Sequence, residues 1–172
     1  MSDMIKIRTM TGTDADAVLA IYQEGIETGH ATFETRAPDW PHFDGGKLAT
    51  PRLVSEDADG VTGWAVLSPT SSRCVYGGVA EVTIYIAGRA KGQGIGKALL
   101  GALVEASEAE GIWMLVAGIM RENEVSIALH EKCGFELLGY RKRLGKMLYG
   151  PMQGQWRDIA WMERRSDVVG ID

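Results

Sequence analysis

A glycine-rich stretch, residues 92–96, lies between the apolar run 82–86 and a segment with helical spacing of apolar residues, 95–110. A strand, a loop and a helix in this order leave several backbone N–H groups free at the helix N terminus, where the helix dipole favours an anion. Glycine suits such a loop because a Cβ atom would keep a pyrophosphate away from the backbone. The sequence therefore predicts a ligand that carries phosphate.

Two common phosphate-binding motifs fit this spacing poorly. A nucleotide-hydrolase loop has four residues between its first glycine and a Gly-Lys pair, and a Ser or Thr follows the lysine. Here three residues separate Gly92 from Gly96, and Ala98 follows Lys97, so the hydroxyl that would bind magnesium is missing. A dinucleotide-binding fingerprint has the spacing Gly-x-Gly-x-x-Gly near the start of a βαβ unit, whereas Gly92, Gly94 and Gly96 alternate deep in the chain.

The composition is that of an ordinary globular domain. Of 172 residues, 45% are hydrophobic and 24% are charged, which predicts one domain over residues 1–172 with its core in roughly 5–165. The net charge of −5 argues against a nucleic-acid partner held by electrostatics. The sequence has no bilayer-spanning apolar run and no apolar signal-peptide core, so we expect a cytoplasmic protein without a membrane partner. The two cysteines and three histidines lack metal-ligand spacing, so no metal site is expected.

Hydrophobic periodicity predicts alternating strands and helices. Strands are expected at residues 5–8, 53–55, 63–68, 79–86, 113–117, 135–140 and 156–163. Helices are expected after an N-cap at Thr13 paired with Asp16, and at 95–110 and 124–132. Residues 29–47 read as an irregular segment with room for a short helix, and 145–155 read as a loop. The alternation predicts an α/β (α+β) fold, with helices on both faces of a central sheet.

Four further stretches carry a family pattern, in order along the chain: IYQEGIETGHATFET at 21–35, AEVTIYI at 80–86, the segment 117–135 with Asn123, Ser126 and Gly134-Phe135, and WRD at 156–158. Together they resemble the phosphinothricin and methionine sulfoximine N-acetyltransferases of the GNAT superfamily. The glycine stretch resembles the acetyl-CoA loop Arg/Gln-x-x-Gly-x-Gly/Ala of that superfamily, with Lys91 in place of Arg or Gln. The resemblance covers roughly residues 5–165 and implies the GNAT acyl-CoA N-acyltransferase fold, with a mixed, mostly antiparallel sheet.

The resemblance implies acetyl-CoA as cosubstrate. Its pantetheine arm would pair with the backbone of residues 84–86 like an extra strand, and loop N–H groups would hold its pyrophosphate. Asn123 would hydrogen-bond the arm, cap the following helix, or do both. The cofactor-binding residues expected on this basis are Ile84, Tyr85, Ile86, Lys91, Gly92, Gln93, Gly94, Ile95, Gly96, Lys97, Asn123 and Lys132.

The resemblance also implies catalytic residues. Glu81 matches the acid proposed as general base, and a carboxylate can take the proton of an ammonium group, which has no lone pair for attack. Strand alternation alone does not decide whether Glu81 has that role or is a surface residue on the solvent face. His130 stands where many GNAT enzymes place a tyrosine acid beside the thiolate, although a helical histidine is more often packed or at the surface.

A substrate-contacting loop is implied just before the strand that carries Glu81. It comprises Arg73, Cys74, Val75 and Tyr76, and it departs from the Trp-Arg-containing loop of the best-known members. Arg73 can be an ordinary loop charge, or it can bind a substrate carboxylate or phosphinate through its guanidinium. Glu81 would contact the substrate amine as well.

The predicted function is direct acetyl transfer, in a ternary complex, to the amino group of a small amino-acid analogue. Phosphinothricin, methionine sulfoximine, methionine sulfone and arsinothricin are the expected substrates, and a backbone N–H near Ile84 the expected oxyanion donor. The consequence would be detoxification of glutamine-synthetase inhibitors, that is, herbicide or antibiotic resistance, and the resemblance implies a homodimer. An acetyltransferase for a protein N terminus or a polyamine, a non-catalytic acetyl-CoA sensor and a nucleotide hydrolase remain alternatives.

Overall fold

A sheet of seven strands runs through the computed structural model, which describes residues 5–172. The strands lie in the order β1-β2-β3-β4-β5-β7-β6. They are β1 Lys6–Thr9, β2 Arg52–Asp57, β3 Gly60–Pro69, β4 Val79–Ile86, β5 Met114–Met120, β6 Glu136–Lys146 and β7 Trp156–Arg165. Among these described strands, only β4 and β5 pair in parallel, and the other neighbours are antiparallel. The predicted mixed, mostly antiparallel sheet is confirmed.

Helices cover both faces of the sheet, as predicted. They are α1 Ala15–Glu27, α2 Trp40–Gly45, α3 Ile95–Ala109 and α4 Glu124–Lys132. Side chains of β3 alternate between the two faces, because successive residues of a strand point in opposite directions. Trp64 and Val66 join the apolar cluster under α1 and α2, whereas Ala65 and Leu67 join the cluster under α3. No helix among residues 5–172 combines the length and the hydropathy needed to cross a membrane.

The first helix begins differently from the prediction. Residues Gly12–Asp14 form a 3-10 turn, and α1 follows with Asp14 as its N-cap. The Asp14 carboxylate accepts a 2.8 Å bond from the Thr11 N–H and two 2.9 Å bonds from the Arg8 guanidinium. The predicted pairing of Thr13 with Asp16 is therefore wrong. Thr11 and Asp14 have the same three-residue spacing, and the cation on β1 stabilises Asp14 in this position.

Five strands are longer than their sequence pattern predicts, namely β2, β3, β5, β6 and β7. Strand β5 continues past residue 117 to Met120, although Gly118 interrupts its apolar run. Strand β6 continues to Lys146, so the first residues of the predicted loop 145–155 belong to a strand. The register of β6 against β7 shifts twice, at Leu137/Gly139 and at Arg141/Gly145, and such irregularities obscure the alternation that reveals a strand.

Strands β4 and β5 separate soon after they meet. They pair over three positions only, where Val79–Glu81 faces Met114–Val116. Beyond this point β4 continues to Ile86 beside β3, and β5 continues to Met120 beside β7. A gap therefore opens between two neighbouring strands, and one backbone edge of residues 82–86 faces it.

Asp14→Asn tests the contact between β1 and the start of α1. The Arg8 guanidinium lowers the pKa of the Asp14 carboxyl to about 2, and burial opposes this shift. Because the folded-state pKa is depressed, the stabilisation is complete above about pH 4, the usual range of an unfolded aspartate, and is lost as the pH falls towards the folded value. The variant should lose about 2 kcal/mol of unfolding free energy at neutral pH.

Urea unfolding between about pH 3 and pH 7 measures this difference. The difference in unfolding free energy between the wild-type protein and the variant should stay constant near neutral pH and become smaller below about pH 4. Asp16→Asn is the matched control, since Asp16 is exposed in the first turn of α1. A gap of equal size at every pH would contradict an ionised Asp14 as the stabilising group.

Candidate active site

The glycine loop connects β4 to α3 at the end of the gap. Gly92 and Gly94 have φ values of +77° and +80°, a conformation that residues with a Cβ rarely adopt. A Cβ on either would meet no described heavy atom within 4 Å, so the space over the loop is open. Gly94 is the N-cap of α3, and no side chain of residues 5–172 caps this helix. The loop therefore presents the free N–H groups that bind a phosphate at a helix N terminus.

Two carboxylates hold this loop in place. Asp57, the last residue of β2, accepts bonds of 2.6 and 3.1 Å from the Arg89 guanidinium. Glu24 of α1 accepts a 2.8 Å bond from the Gly88 N–H. The Gln93 amide donates to the Arg89 carbonyl at 3.3 Å. These contacts fix the backbone before a ligand arrives, which lowers the cost of binding.

The loop residues do not share one role. Gly96 lies within α3, where a Cβ would come within 3.1 Å of Leu129 Cδ2, so this glycine lets α4 approach α3. Ile95 is buried in the core and offers only its backbone to a ligand. Lys91 and Lys97 are exposed, and they place two cations beside the loop. Lys132 is exposed at the end of α4.

Side chains of β4 anchor the strand while its backbone faces the gap. Tyr85 stacks on Trp64, with ring centroids 5.0 Å apart, and lies 4.9 Å from the ring of Tyr22. A Cβ at Gly25 of α1 would approach Tyr85 Cδ1 to 2.3 Å, so glycine is required for the helix to lie over this ring. Ile84 and Ile86 pack against the cluster on the opposite face. The free edge can accept an extended ligand as an additional strand.

Glu81 occupies the position where β4 and β5 separate. It is the last residue of β4 that pairs with β5, opposite Val116, and its other neighbour across the sheet is Ser68. Ala80 and Val82 are buried under α3, so strand alternation directs Glu81 to the face that carries α1 and α2. The side chain is exposed. A carboxylate at the start of the gap can exchange a proton with a ligand bound there.

His130 is buried in α4, with 2% of its surface exposed. Its Nδ1 donates to the Ser126 carbonyl at 2.7 Å, because a carbonyl oxygen can only accept, and its ring meets Phe135 edge-on at 5.0 Å. Burial lowers the pKa of the imidazole, and the bond to Ser126 opposes the shift. A neutral ring with its proton on Nδ1 has no proton on Nε2. This geometry favours the packed-histidine alternative over the acid.

Asn123 caps α4 and also connects it to the segment after α1. Its Oδ1 accepts from the Ser126 N–H at 3.2 Å, and its Nδ2 donates to the His30 carbonyl at 3.3 Å. A carboxamide has a second N–H and further lone pairs, so contact with a ligand remains chemically available.

Arg157 is a buried cation for which the sequence offered no role. Its side chain is fully buried, and it donates to the Gly29 carbonyl, to Nδ1 of His30 and to the Glu122 carboxylate at 2.9, 2.9 and 3.1 Å. Two of the stretches that carry the family resemblance, 21–35 and 156–158, therefore meet through this guanidinium. The sequence signal was the stretch 156–158 of the family pattern, which contains Arg157 but indicates no role for it.

The loop between β6 and β7 packs against the segment after α1. Tyr149 donates its hydroxyl to the Thr32 carbonyl at 2.9 Å, and Phe33 packs against the apolar cluster of β5 and β7. A Cβ at Gly29 would come within 2.8 Å of Pro151. These contacts bring residues 147–155 to the face of the sheet that carries α1.

The predicted substrate loop is an exposed turn before β4. Cys74–Tyr76 form a 3-10 turn, and the Arg73 guanidinium lies 5.4 Å from the centre of the Tyr76 ring. All four predicted residues, Arg73, Cys74, Val75 and Tyr76, are exposed. Arg73 forms no ion pair with another described residue. The turn is thus open to a ligand. Among the described residues, none of these four forms a hydrogen bond or an ion pair with Glu81.

Comparisons with known proteins agree with this geometry. The acetyltransferase (GNAT) family model matches residues 17–135. A methionine sulfoximine/methionine sulfone acetyltransferase of Pseudomonas paraeruginosa is 30% identical over 94% of both chains. A phosphinothricin N-acetyltransferase of Alcaligenes faecalis is 33% identical over 92% of this chain and 81% of that protein.

A solved structure extends the likeness to three dimensions. The crystal structure of a GNAT superfamily phosphinothricin acetyltransferase from Sinorhizobium meliloti, in complex with acetyl-CoA, has a TM-score of 0.82 and 32% identity, covering 98% of this chain and 96% of that one. GNAT acetyltransferases use acetyl-CoA as acetyl donor, and the open glycine loop and free strand edge fit that cosubstrate. The chain therefore belongs to the GNAT family and is an N-acetyltransferase.

Proposed function

We propose that this enzyme acetylates the amino group of a small amino-acid analogue, in the class of phosphinothricin, methionine sulfoximine and methionine sulfone, with arsinothricin as a related substrate. The observation that carries the proposal is an exposed carboxylate, Glu81, at the point where β4 leaves β5. The names of relatives that are 30–33% identical over more than nine-tenths of this chain support the substrate class. The consequence would be resistance to glutamine-synthetase inhibitors.

In this proposal the chain holds acetyl-CoA through its backbone. The N–H groups of residues 92–97 bind the pyrophosphate, with Lys91 and Lys97 adding positive charge. Residues 84–86 pair with the pantetheine arm along the free edge of β4. The remaining hydrogen-bonding positions of Asn123 face the arm, and Lys132 lies towards the phosphates.

Catalysis then depends on proton transfer and on orientation. Glu81 accepts a proton from the substrate ammonium, directly or through a water molecule, and the neutral amine attacks the thioester carbonyl. A backbone N–H near Ile84 donates to the oxyanion that develops. The C–S bond breaks as the C–N bond is completed, the nitrogen releases its second proton to solvent to give the amide, and the thiolate takes a proton from solvent. We assign His130 to packing, because its Nδ1 proton is committed to Ser126.

The same proposal includes a homodimer. Leu138 and Leu144 of β6 and Trp156 of β7 expose apolar side chains. An apolar surface on an edge strand supports association with a second copy.

A panel of amines tests the substrate class. Thiol release from acetyl-CoA should be saturable with phosphinothricin, methionine sulfoximine and methionine sulfone, and weak with glutamate, a polyamine and a short peptide. Turnover confined to the peptide or the polyamine would replace the proposed substrate by that alternative. Tight binding of acetyl-CoA without turnover of any amine would indicate a sensor.

Glu81→Gln should lower kcat with the amino-acid analogue by about 100-fold near neutral pH, because a glutamine cannot accept the proton of the ammonium. The affinity for acetyl-CoA should stay unchanged. The deficit should shrink as the pH rises and the substrate amine loses its own proton. Rates from neutral pH to about pH 10 measure this, and a deficit that does not vary with pH would indicate a structural role.

Gly94→Val should weaken acetyl-CoA binding by about tenfold to a hundredfold, because the side chain occupies the space that the pyrophosphate needs. Gly111→Val is the matched control. Gly111 has the same conformation, φ +79°, and an equally open surrounding, but it lies at the opposite end of α3. Calorimetric titration should show lost affinity in the first variant only, and equal affinities would overturn the assignment of the loop.

A further inference from the structure

Hydrogen bonds to the backbone of Lys47 and of Leu48 hold this segment beside β3. It follows α2, and the next residue, Leu48, donates its N–H to the Leu67 carbonyl at 2.8 Å. The Arg52 guanidinium donates to the Lys47 carbonyl at 3.2 Å. These bonds fix the point from which the Lys47 side chain extends.

The Lys47 ammonium is half-buried and incompletely bonded. Its Nζ donates to Ser68 Oγ at 3.2 Å and lies 5.5 Å from the centre of the Phe43 ring. No carboxylate of residues 5–172 forms an ion pair with it. Burial lowers the pKa of this ammonium, and the nearby carboxylates of Glu81 and Glu34 oppose that shift. A partly desolvated cation with unused donors gains free energy when an anion reaches it.

Ser68 connects this cation to the proposed base. It lies directly opposite Glu81 in the pairing of β3 with β4, so both side chains are on the same face of the sheet. Side chains at directly opposite positions have Cβ atoms about 5 Å apart. The ammonium that binds Ser68 and the carboxylate of Glu81 therefore lie on one face, near each other but not in contact.

This arrangement complements an α-amino acid. Such a substrate carries its amine and its carboxylate on a single carbon, so the two groups must bind within a few ångströms of each other. We propose that Lys47 binds the α-carboxylate of the substrate while Glu81 receives the proton of its amine. The inference rests on the proposed function, because it assumes an amino-acid substrate. It leaves Arg73, which is exposed, for the distal group of that substrate.

Methionine sulfone gives the sharpest test, because its carboxylate is its only anionic group. Steady-state kinetics compare this substrate with the amine obtained by its decarboxylation, for the wild-type enzyme and for Lys47→Met, Lys47→Arg and Lys142→Met. Lys142 is exposed on β6 and serves as the control for loss of a lysine. Inhibition by the matching acid that lacks the amino group supplies a second readout, which needs no turnover of the decarboxylated amine.

Lys47→Met should raise KM for methionine sulfone, and Ki for the deaminated acid, by about tenfold to a hundredfold. The KM for acetyl-CoA and kcat/KM for the decarboxylated amine should stay within about twofold of wild type. Lys47→Arg should recover part of the loss, because it restores the charge.

Equal losses for both substrates, or an unchanged Ki for the deaminated acid, would overturn the proposal. A shift in the pH dependence of kcat/KM, with an unchanged ratio of kcat/KM between methionine sulfone and the decarboxylated amine, would also overturn it. Lys47 would then act through Glu81. Failure of the proposed function itself has a different signature: the wild-type enzyme would turn over no amino acid in the panel.

Discussion

The short contact between β4 and β5 is the constraint on which the site depends. Three residue pairs join these strands, whereas β4 pairs with β3, and β5 with β7, over seven each. A continuous ladder would use the backbone groups of residues 82–86 for sheet hydrogen bonds. The separation leaves that edge free for a ligand and places Glu81 where the gap begins. The loop over residues 87–94 follows directly, so in the proposed function cosubstrate binding and proton transfer both take place along β4.

Arg157 and Lys47 are both cations that have lost hydration, but they differ in the number of their hydrogen-bond partners. Arg157 is fully buried, and its terminal nitrogens bind acceptors on three residues, so it holds separate segments of the chain together. Lys47 has lost part of its hydration, yet among the described residues its ammonium has one hydrogen-bond partner. Burial of a charge is unfavourable unless the charge is paired. The fold supplies partners for the terminal nitrogens of the first cation, although its Nε has none among the described residues, and in our proposal the second cation binds a ligand.

Local sequence patterns predicted much of the fold. The spans of β4 and α4 agree with their predictions to the residue, and a glycine lies two residues after the end of each element. The start of α1 was predicted wrongly because the Asp14 carboxylate binds Arg8 of β1, a contact that the local pattern around the helix start does not show. The glycine loop was recognisable since its chemistry resides in consecutive residues. Lys47 and Arg157 were not, because their partners, Ser68 and Gly29, are distant in sequence.

The narrow junction between β4 and β5 also divides the molecule into two blocks. Strands β1–β4 pair as sequential antiparallel neighbours, and β5, β7 and β6 form a second antiparallel block. The three β4–β5 pairs and the apolar cluster under α3, which includes residues of both blocks, hold the two blocks together. Amide protons at residues 79–81 report the docking of the blocks, so their exchange with solvent measures how often the site itself comes apart.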